Sequence, residues 1–302
     1  MQNMGQFVGA IPFPSWLKDE IFSIGPLSIK WYGLGYVVGL FLAFFYARRT
    51  CEKTEIWVPK NTPSGPALIP TGRMLEDYMF YCLLGIIVGG RIGSILLYNT
   101  GDYIADPIRI FKVWEGGMAF HGGFLGVCAA TIYLARTRKI PLMRIADLAA
   151  ISAPIGLGLV RLANFINQEL YGRVTDVAWA FRFDTDPTGR PRHPSQLYES
   201  FLEGFVIFAV LWIASRKFKA LTKPGLSTGL FVLMYGSFRI FVENFREPDA
   251  TMFGPLTRGM AYSLPMVIIG ILVIFWALKR PPVSPQRPPE DPKIETKKDA
   301  NA

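Results

Sequence analysis

The chain has 302 residues, 51% of them hydrophobic and 14% aromatic, and only 18% charged, against about 25% charge in soluble domains; one membrane bundle fits this better than two soluble domains. Three cysteines without paired spacing and two histidines support neither a disulfide framework nor a zinc site or other protein metal cage. The net charge of +9 is spread over loop ends rather than gathered in one patch, which argues against nucleic-acid binding.

Met1–Ile29 lacks the basic leader and clean apolar run of a signal peptide, and Pro12, Pro14, Asp19 and Glu20 interrupt it. Seven apolar segments follow: Trp31–Ala47, Met74–Tyr98, Gly116–Ala135, Ala146–Phe165, Gln196–Ala214, Leu226–Glu243 and Met260–Leu278. Each has roughly 17–25 residues, enough to cross a hydrocarbon core of about 30 Å with some tilt. The loop Glu52–Gly72 contains Pro59, Pro63, Pro66 and Pro70 and reads as irregular. Tyr171–Pro194 is too polar to cross; within it Val177, Trp179, Phe181 and Phe183 alternate with small or polar residues, the period of a half-buried strand. The tail Pro281–Ala302, rich in Pro and charge, reads as disordered. Segments after odd-numbered spans hold 19 Lys and Arg against 10 on the other side, so the richer side is expected to be cytoplasmic, with the N-terminus outside and the C-terminus inside. The expected fold is an all-α polytopic membrane protein: a seven-transmembrane-helix bundle with a small extracytoplasmic cap (171–194), forming one domain over residues 1–280, and a disordered cytoplasmic tail over 281–302.

Polar groups interrupt these segments where hydrocarbon penalises them by about 2.5–3.5 kcal/mol for a charge at the bilayer centre. Gly85, Gly89 and Gly93 repeat every four residues, as do Gly122 and Gly126, which lets helix backbones approach closely. Beside them Arg91 either snorkels, pairs with Glu76 or Asp77, or takes part in chemistry. His121, in WEGGMAFHGGFLG, is flanked by Gly116, Gly117, Gly122, Gly123 and Gly126. It is either a packing residue or, since neutral imidazole suits proton transfer near pH 7, a base. Arg161 and Asn164 share a helical face, with Asn167 and Glu169 at the helix end. Guanidinium with amides suits a phospholipid phosphate, the alternative being a snorkelling Arg. Tyr235, Arg239 and Glu243 recur every four residues as one stripe, and Arg before Glu is the less favourable order for helix stability. An internal ion pair that orients Arg239 explains them better. In RHPSQLYES, His193 and Ser195 hint at base and nucleophile, but no G-x-S-x-G context surrounds the serine, and helix capping by Ser195 is the plainer role. Tyr32 stands at the outer mouth of the first span, where belt aromatics gather.

HGGFLG, the Arg161–Gly172 segment, RHPSQLYE and YGSFRIFVENFREPD, with IFSIGPLSIKWYG and RIFKVWEGGMAFHGG, closely resemble the phosphatidylglycerol–prolipoprotein diacylglyceryl transferase family over about Ile21 to Arg280. The resemblance implies transfer of a diacylglyceryl group from phosphatidylglycerol to the lipobox cysteine thiol of a prolipoprotein signal peptide. A thioether forms, glycerol phosphate leaves, and no metal or other cofactor takes part. It also implies residence in the bacterial cytoplasmic (inner) membrane. Carried over position by position, the functional residues fall on Tyr32, His121, Arg161, Asn164, Glu169, Gly172, Tyr235, Arg239 and Glu243. The family pattern G-R-x-G-N-F-x-N-x-E-x-x-G is met here except that Val160 and Ala163 replace its first two glycines; Met260 stands where Gln is typical.

The residue types suit that chemistry. A thiol with an ordinary pKa near 8.5 is mostly protonated at neutral pH, so attack on carbon benefits from a base, for which His121 leads. Arg161 and Arg239 can stabilise the departing phosphate in a water-poor cavity. Glu243 would hold Arg239, Tyr235 and Asn164 would orient by hydrogen bonds, and Glu169 would orient Arg161 or assist proton transfer. A secondary transporter is the alternative, since it too would bury Arg, Glu and His. Internal repeats typical of transporters are not evident between the chain's halves. A non-catalytic lipid-binding scaffold would not need His121, Arg161 and Arg239 together.

Overall fold

A computed structural model of the protein describes residues 10–17, 20–24, 27–58, 68–98, 100–112, 116–247, 251–253 and 256–280. The tail Pro281–Ala302, the middle of the proline-rich loop, and Trp114 and Glu115 lie outside the described residues.

All seven apolar segments are helical: α1 (Trp31–Glu52), α2 (Gly72–Leu97), α3 (Phe120–Thr137), α4 (Leu142–Ile166), α5 (Ser195–Arg216), α6 (Leu226–Val242) and α7 (Arg258–Lys279). Among the described residues four of them, α2, α4, α5 and α7, are long and apolar enough to cross a membrane; α3 has 18 residues and α6 has 17. Threonine hydroxyls cap two of the long helices, Thr71 accepting from Met74 N and Thr257 from Met260 N, each at 3.2 Å. The third helix begins at Phe120 rather than Gly116 because Gly116 and Gly117 are left-handed (φ +84° and +72°), a conformation that glycine tolerates and a helix does not.

The chain forms two compact units, Met1–Ala47 with Ala149–Pro281, and Arg48–Leu148. In the second, the glycine repeats do what their spacing suggests. A Cβ added at Gly85 would stand 2.5 Å from Gly126 O, and one at Gly93 would stand 2.8 Å from Gly122 Cα, so only hydrogen fits where α2 meets α3. Arg91 is buried here and pairs with neither Glu76 nor Asp77. Its Nε donates to Ile110 O (3.0 Å), Nη1 to the carbonyls of Gly116 (2.5 Å) and Gly117 (3.2 Å), and Nη2 to those of Arg109 and Lys112 (3.0 Å for the latter). The guanidinium also lies 5.0 Å from the Tyr103 ring centroid. Asp77 binds Arg138 instead, and Glu76 lies 3.7 Å from Arg48. Arg91 therefore pins residues 109–112 and 116–117 by their backbone.

In the first unit, β1 (Ile11–Pro12) pairs in parallel with β4 (Phe181–Arg182), and β2 (Glu20–Ile24) forms a hairpin with β3 (Leu27–Lys30). A third short ladder joins Thr251–Phe253 to Leu256–Thr257. The strand expected from the Val177–Phe183 alternation shrinks to the two residues of β4. A turn closed by Ala180 N donating to Val177 O (3.0 Å) takes up the rest and leaves Trp179 exposed. Phe183 is buried among Phe13, Phe165 and Tyr171, with ring centroids 5.9, 5.9 and 5.2 Å away. Arg192 ties this segment down: it donates to both oxygens of Asp186 (2.7 and 3.3 Å) and to Glu247 (2.7 Å), with its guanidinium 5.2 Å from the Tyr171 centroid. Burial works against charge on Asp186, but the bonds from Arg192 and Thr188 prevail and hold the carboxyl below its ordinary value. Burial also lowers His193.

Candidate active site

Three helices of the first unit carry charge into one place. Glycines set the approach of α4 and α5: a Cβ on Gly204 would fall 2.5 Å from Gly158 Cα, and Ser200 Oγ donates to Gly158 O at 2.9 Å. Over Ser200–Val206 α5 widens into a π-helical turn, a local form that recurs at functional sites. Glu199 and Glu203 flank and occupy this turn, both side chains fully buried, and both meet Arg161 on α4: its Nε is 3.1 Å from Glu199 Oε2 and 3.9 Å from Glu203 Oε2. From α6, Arg239 Nη1 donates to Glu199 Oε1 at 2.5 Å, and from the turn past its end Arg246 Nη1 donates to the same oxygen at 2.8 Å. Glu243 stands 3.3 Å from Arg239 Nη2 and 3.6 Å from Arg246 Nε. The i, i+4 stripe thus gives the expected ion pair, although Glu199 holds Arg239 more closely than Glu243 does.

Three guanidinium groups and three carboxylates cancel formally, which is how a low-dielectric interior tolerates them. They are not all well aligned. Glu199 Oε2, both oxygens of Glu203, and Glu243 Oε2 accept no aligned hydrogen bond. Glu243 Oε1 accepts from Thr257 Oγ1 at 2.8 Å, and the carboxylate covers the first turn of α7 so closely that a Cβ on Gly259 would come within 2.6 Å of it. That turn is where the helix dipole favours an anion. Tyr235, one turn before Arg239, lies within electrostatic reach of Arg161.

In the last turn of α4 Asn164 is buried, and its Nδ2 donates to Oε1 of Glu169, past the helix end, at 2.6 Å, while Gln196 Nε2 donates to Glu169 O at 2.7 Å. Glu169 is therefore held by amides, and Arg161 is oriented by Glu199 rather than by Glu169. Gln168 and Leu170 on either side are left-handed (φ +55° and +57°), a strain that persists only where surroundings enforce it. Gly172 is a packing necessity: a Cβ there would meet His193 Cβ at 2.8 Å. Tyr32 is partly exposed, its hydroxyl 3.1 Å from that of Tyr36 and within electrostatic reach of Glu169 and Arg161. Ala163, where the family pattern has glycine, is buried. It faces Gly35, at which an added Cβ would lie 3.1 Å from the alanine methyl, so the missing side chain on α1 makes room for the extra one on α4.

His121 belongs to the other unit, as the second residue of α3, with an exposed side chain whose ring lies edge-on to Phe120 at 5.8 Å. Ser195 does not cap α5. The cap position is Pro194, whose side chain has no acceptor to offer, and Ser195 Oγ donates to Leu170 O at 3.1 Å. His193 Nδ1 pairs with Tyr198 Oη at 3.1 Å, so serine and histidine serve separate partners and no nucleophile–base pair forms.

Glu199, Glu203 and Arg246 are site residues that the sequence reading did not single out. A signal existed: two carboxylates four residues apart inside an apolar span carry the same insertion penalty that marked the arginines.

The prolipoprotein diacylglyceryl transferase family matches residues 19–276. A phosphatidylglycerol–prolipoprotein diacylglyceryl transferase of Brucella anthropi is 47% identical over 277 residues, covering 90% of this chain and 94% of its own length. Enzymes of the same name from Brucella canis and Brucella ovis are similar to the same extent, 47% over 277 residues with the same coverage. With that match along most of its length and four described helices fit to cross a bilayer, this chain is a multi-pass membrane protein and belongs to the prolipoprotein diacylglyceryl transferase family.

Proposed function

We infer that the protein transfers the diacylglyceryl group of phosphatidylglycerol to the lipobox cysteine of a prolipoprotein. The carbon–sulfur bond forms as the carbon–oxygen bond to phosphate breaks, the oxygen keeping the electron pair as glycerol phosphate leaves. The thiol proton passes to a base and then to solvent. The transferase names of relatives 47% identical over most of the chain support this and give the transporter alternative no support. The observation that carries it is the buried cluster in which Arg161 and Arg239 share Glu199. Two guanidinium groups held by incompletely bonded carboxylates can turn to a phosphate without leaving their places.

In this proposal Arg161 and Arg239 bind the lipid phosphate and stabilise its growing charge, Glu199 and Glu243 set the two guanidinium groups, and Tyr235 steadies Arg161. Asn164 and Glu169 position groups at the mouth of the site beside Tyr32, Gly172 keeps the backbone there close-packed, and His121 takes the thiol proton. The seven helices are seven spans of one catalytic domain over residues 1–280. Residues 171–194 cap it on the outer face of the bacterial inner membrane, with the N-terminus outside and residues 281–302 in the cytoplasm. The test is to give the purified protein phosphatidylglycerol and a lipobox peptide. Thioether-linked product and free glycerol phosphate are expected. No product from protein that stays folded in detergent would refute the activity.

A further inference from the structure

A cavity of about 860 Å³ opens in the first unit between the β2–β3 hairpin and the turn that follows α4. That is a volume ordinarily associated with a ligand rather than with imperfect packing. Four charged side chains line it: Glu20 and Lys30, which face each other in the hairpin register, together with Glu169 and Asp184. Three of the four are carboxylates, so the cavity disfavours an anion, whereas the arginine cluster attracts one. One wall is braced by hydrogen bonds. Left-handed Gln168 accepts the Asp184 N–H at its side-chain oxygen (2.5 Å) and the Thr185 hydroxyl at its carbonyl (2.6 Å). A hydrogen bond links the cavity lining to the helix that carries Arg161. Glu169 lines the cavity while its Oε1 accepts from Asn164, three residues along α4 from Arg161.

A reaction with a lipid donor and a polypeptide acceptor needs two places of opposite preference. One must hold a phosphate, and the other must hold a polar chain rich in N–H donors. We propose that this cavity docks the polar segment of the acceptor polypeptide just past its cysteine. Main-chain N–H groups and cationic side chains of that segment face Glu20, Glu169 and Asp184, and the thiol is left beside Asn164 and Arg161. This rests on the transferase function inferred above and adds to it a determinant of precursor choice: positive charge shortly after the cysteine favours docking and negative charge opposes it.

Two lipobox peptides identical except for Lys-Ser-Lys or Glu-Ser-Glu after the cysteine test it, with phosphatidylglycerol as donor. The acidic peptide is expected to show a KM about tenfold higher with kcat nearly unchanged, as a few partly exposed charge pairs provide. The double variant Glu20→Lys with Asp184→Lys should reverse the preference. A peptide carrying a photoreactive side chain two residues past the cysteine, irradiated without lipid, should label residues 14–17, 20–23 or 184–185. Equal KM values on the unaltered protein overturn the proposal, as does a preference unmoved in the double variant. Protection of the cavity from labelling by free glycerol phosphate, with no charge preference among peptides, assigns it to the leaving group and overturns the proposal as well. Labelling without any thioether product would sink the transferase function while upholding a peptide site. Product with neither labelling nor charge preference would sink the site alone.

Discussion

Two regions bury arginine in opposite ways. Arg91 spends all three of its nitrogens on five backbone carbonyls, partners that are neutral and fixed by the loop they belong to. Arg161 and Arg239 rest on carboxylates, and Glu203 in particular has no aligned donor on either oxygen. A guanidinium saturated by carbonyls has nothing left to offer a ligand and stabilises a loop. One that shares misaligned carboxylates stays poised, because a phosphate can supply better geometry than it already has. On the proposed roles, burial of charge alone does not separate structural from functional arginines, and the completeness of their hydrogen bonding would.

The sharpest way to break this contrast is to remove an arginine from each region. Arg239→Ala should lower turnover by about 10²–10³-fold or more, the scale of losing one preorganised donor to developing charge. Circular dichroism and detergent stability should show the fold retained. Full activity would take Arg239 out of the site. His121→Asn should cost about 10²–10⁴-fold if the imidazole is the base, and near-normal rates would assign that role elsewhere. Glu199→Gln keeps the shape but weakens the hold on three guanidinium groups. It should lower kcat by about 10–100-fold, with a shifted pH–rate profile. Glu199→Ala should in addition destabilise the fold by about 3–5 kcal/mol, since it leaves buried charges unpaired. Arg91→Met should do the reverse, costing about 3 kcal/mol in stability by stranding the loop carbonyls. The turnover of molecules that remain folded should survive. If Arg91→Met instead abolished turnover at full stability, the distinction between the two kinds of arginine would fail.

Much of this was legible in the chain before any coordinates. Seven helices were found from apolar run length, and the stripe of Tyr235, Arg239 and Glu243 from i, i+4 spacing, because both depend on local periodicity. The glycine repeats likewise announced the packing of α2 on α3. Arg91 was not legible: its partners lie 18 to 26 residues away and are main-chain atoms, which have no residue type to notice. The partnership of Glu199 with three arginines depends on a π turn and on Gly158 meeting Gly204, tertiary facts that no spacing rule encodes. Ser195 misled because a serine after proline at a helix start reads as a cap, whereas the chain had already turned one residue earlier. Val160 and Ala163 stand where the family pattern has glycine; at Ala163 the compensation sits on another helix, at Gly35.

The smallest expected effect concerns a third arginine. Arg192 is held by Asp186 through two aligned bonds and by Glu247, so it resembles Arg91 in completeness and the site in its use of carboxylates. If alignment is what matters, it should act structurally, and pH should reveal it. Hydrogen bonds outweigh burial and hold Asp186 below the ordinary value of about 3.9. The unfolded chain therefore binds that proton more readily, and the pair's contribution is complete above the ordinary carboxylate range and lost as pH falls through the folded value. His193, next in sequence, is lowered by burial from about 6.5, so the folded state resists its protonation and stability declines as pH drops below that point. Two successive losses of protection are thus expected on acidification, at the amides bonded between Phe181 and Arg192 and between His193 and Arg173. Hydrogen exchange from pH 7 down to pH 3 reads them directly. His193→Gln should remove the upper step and Asp186→Asn the lower one, with turnover at pH 7 little altered by the former. A single unshifted carboxylate transition, or protection that rises with acid, would mean that Arg192 does not hold this segment in place.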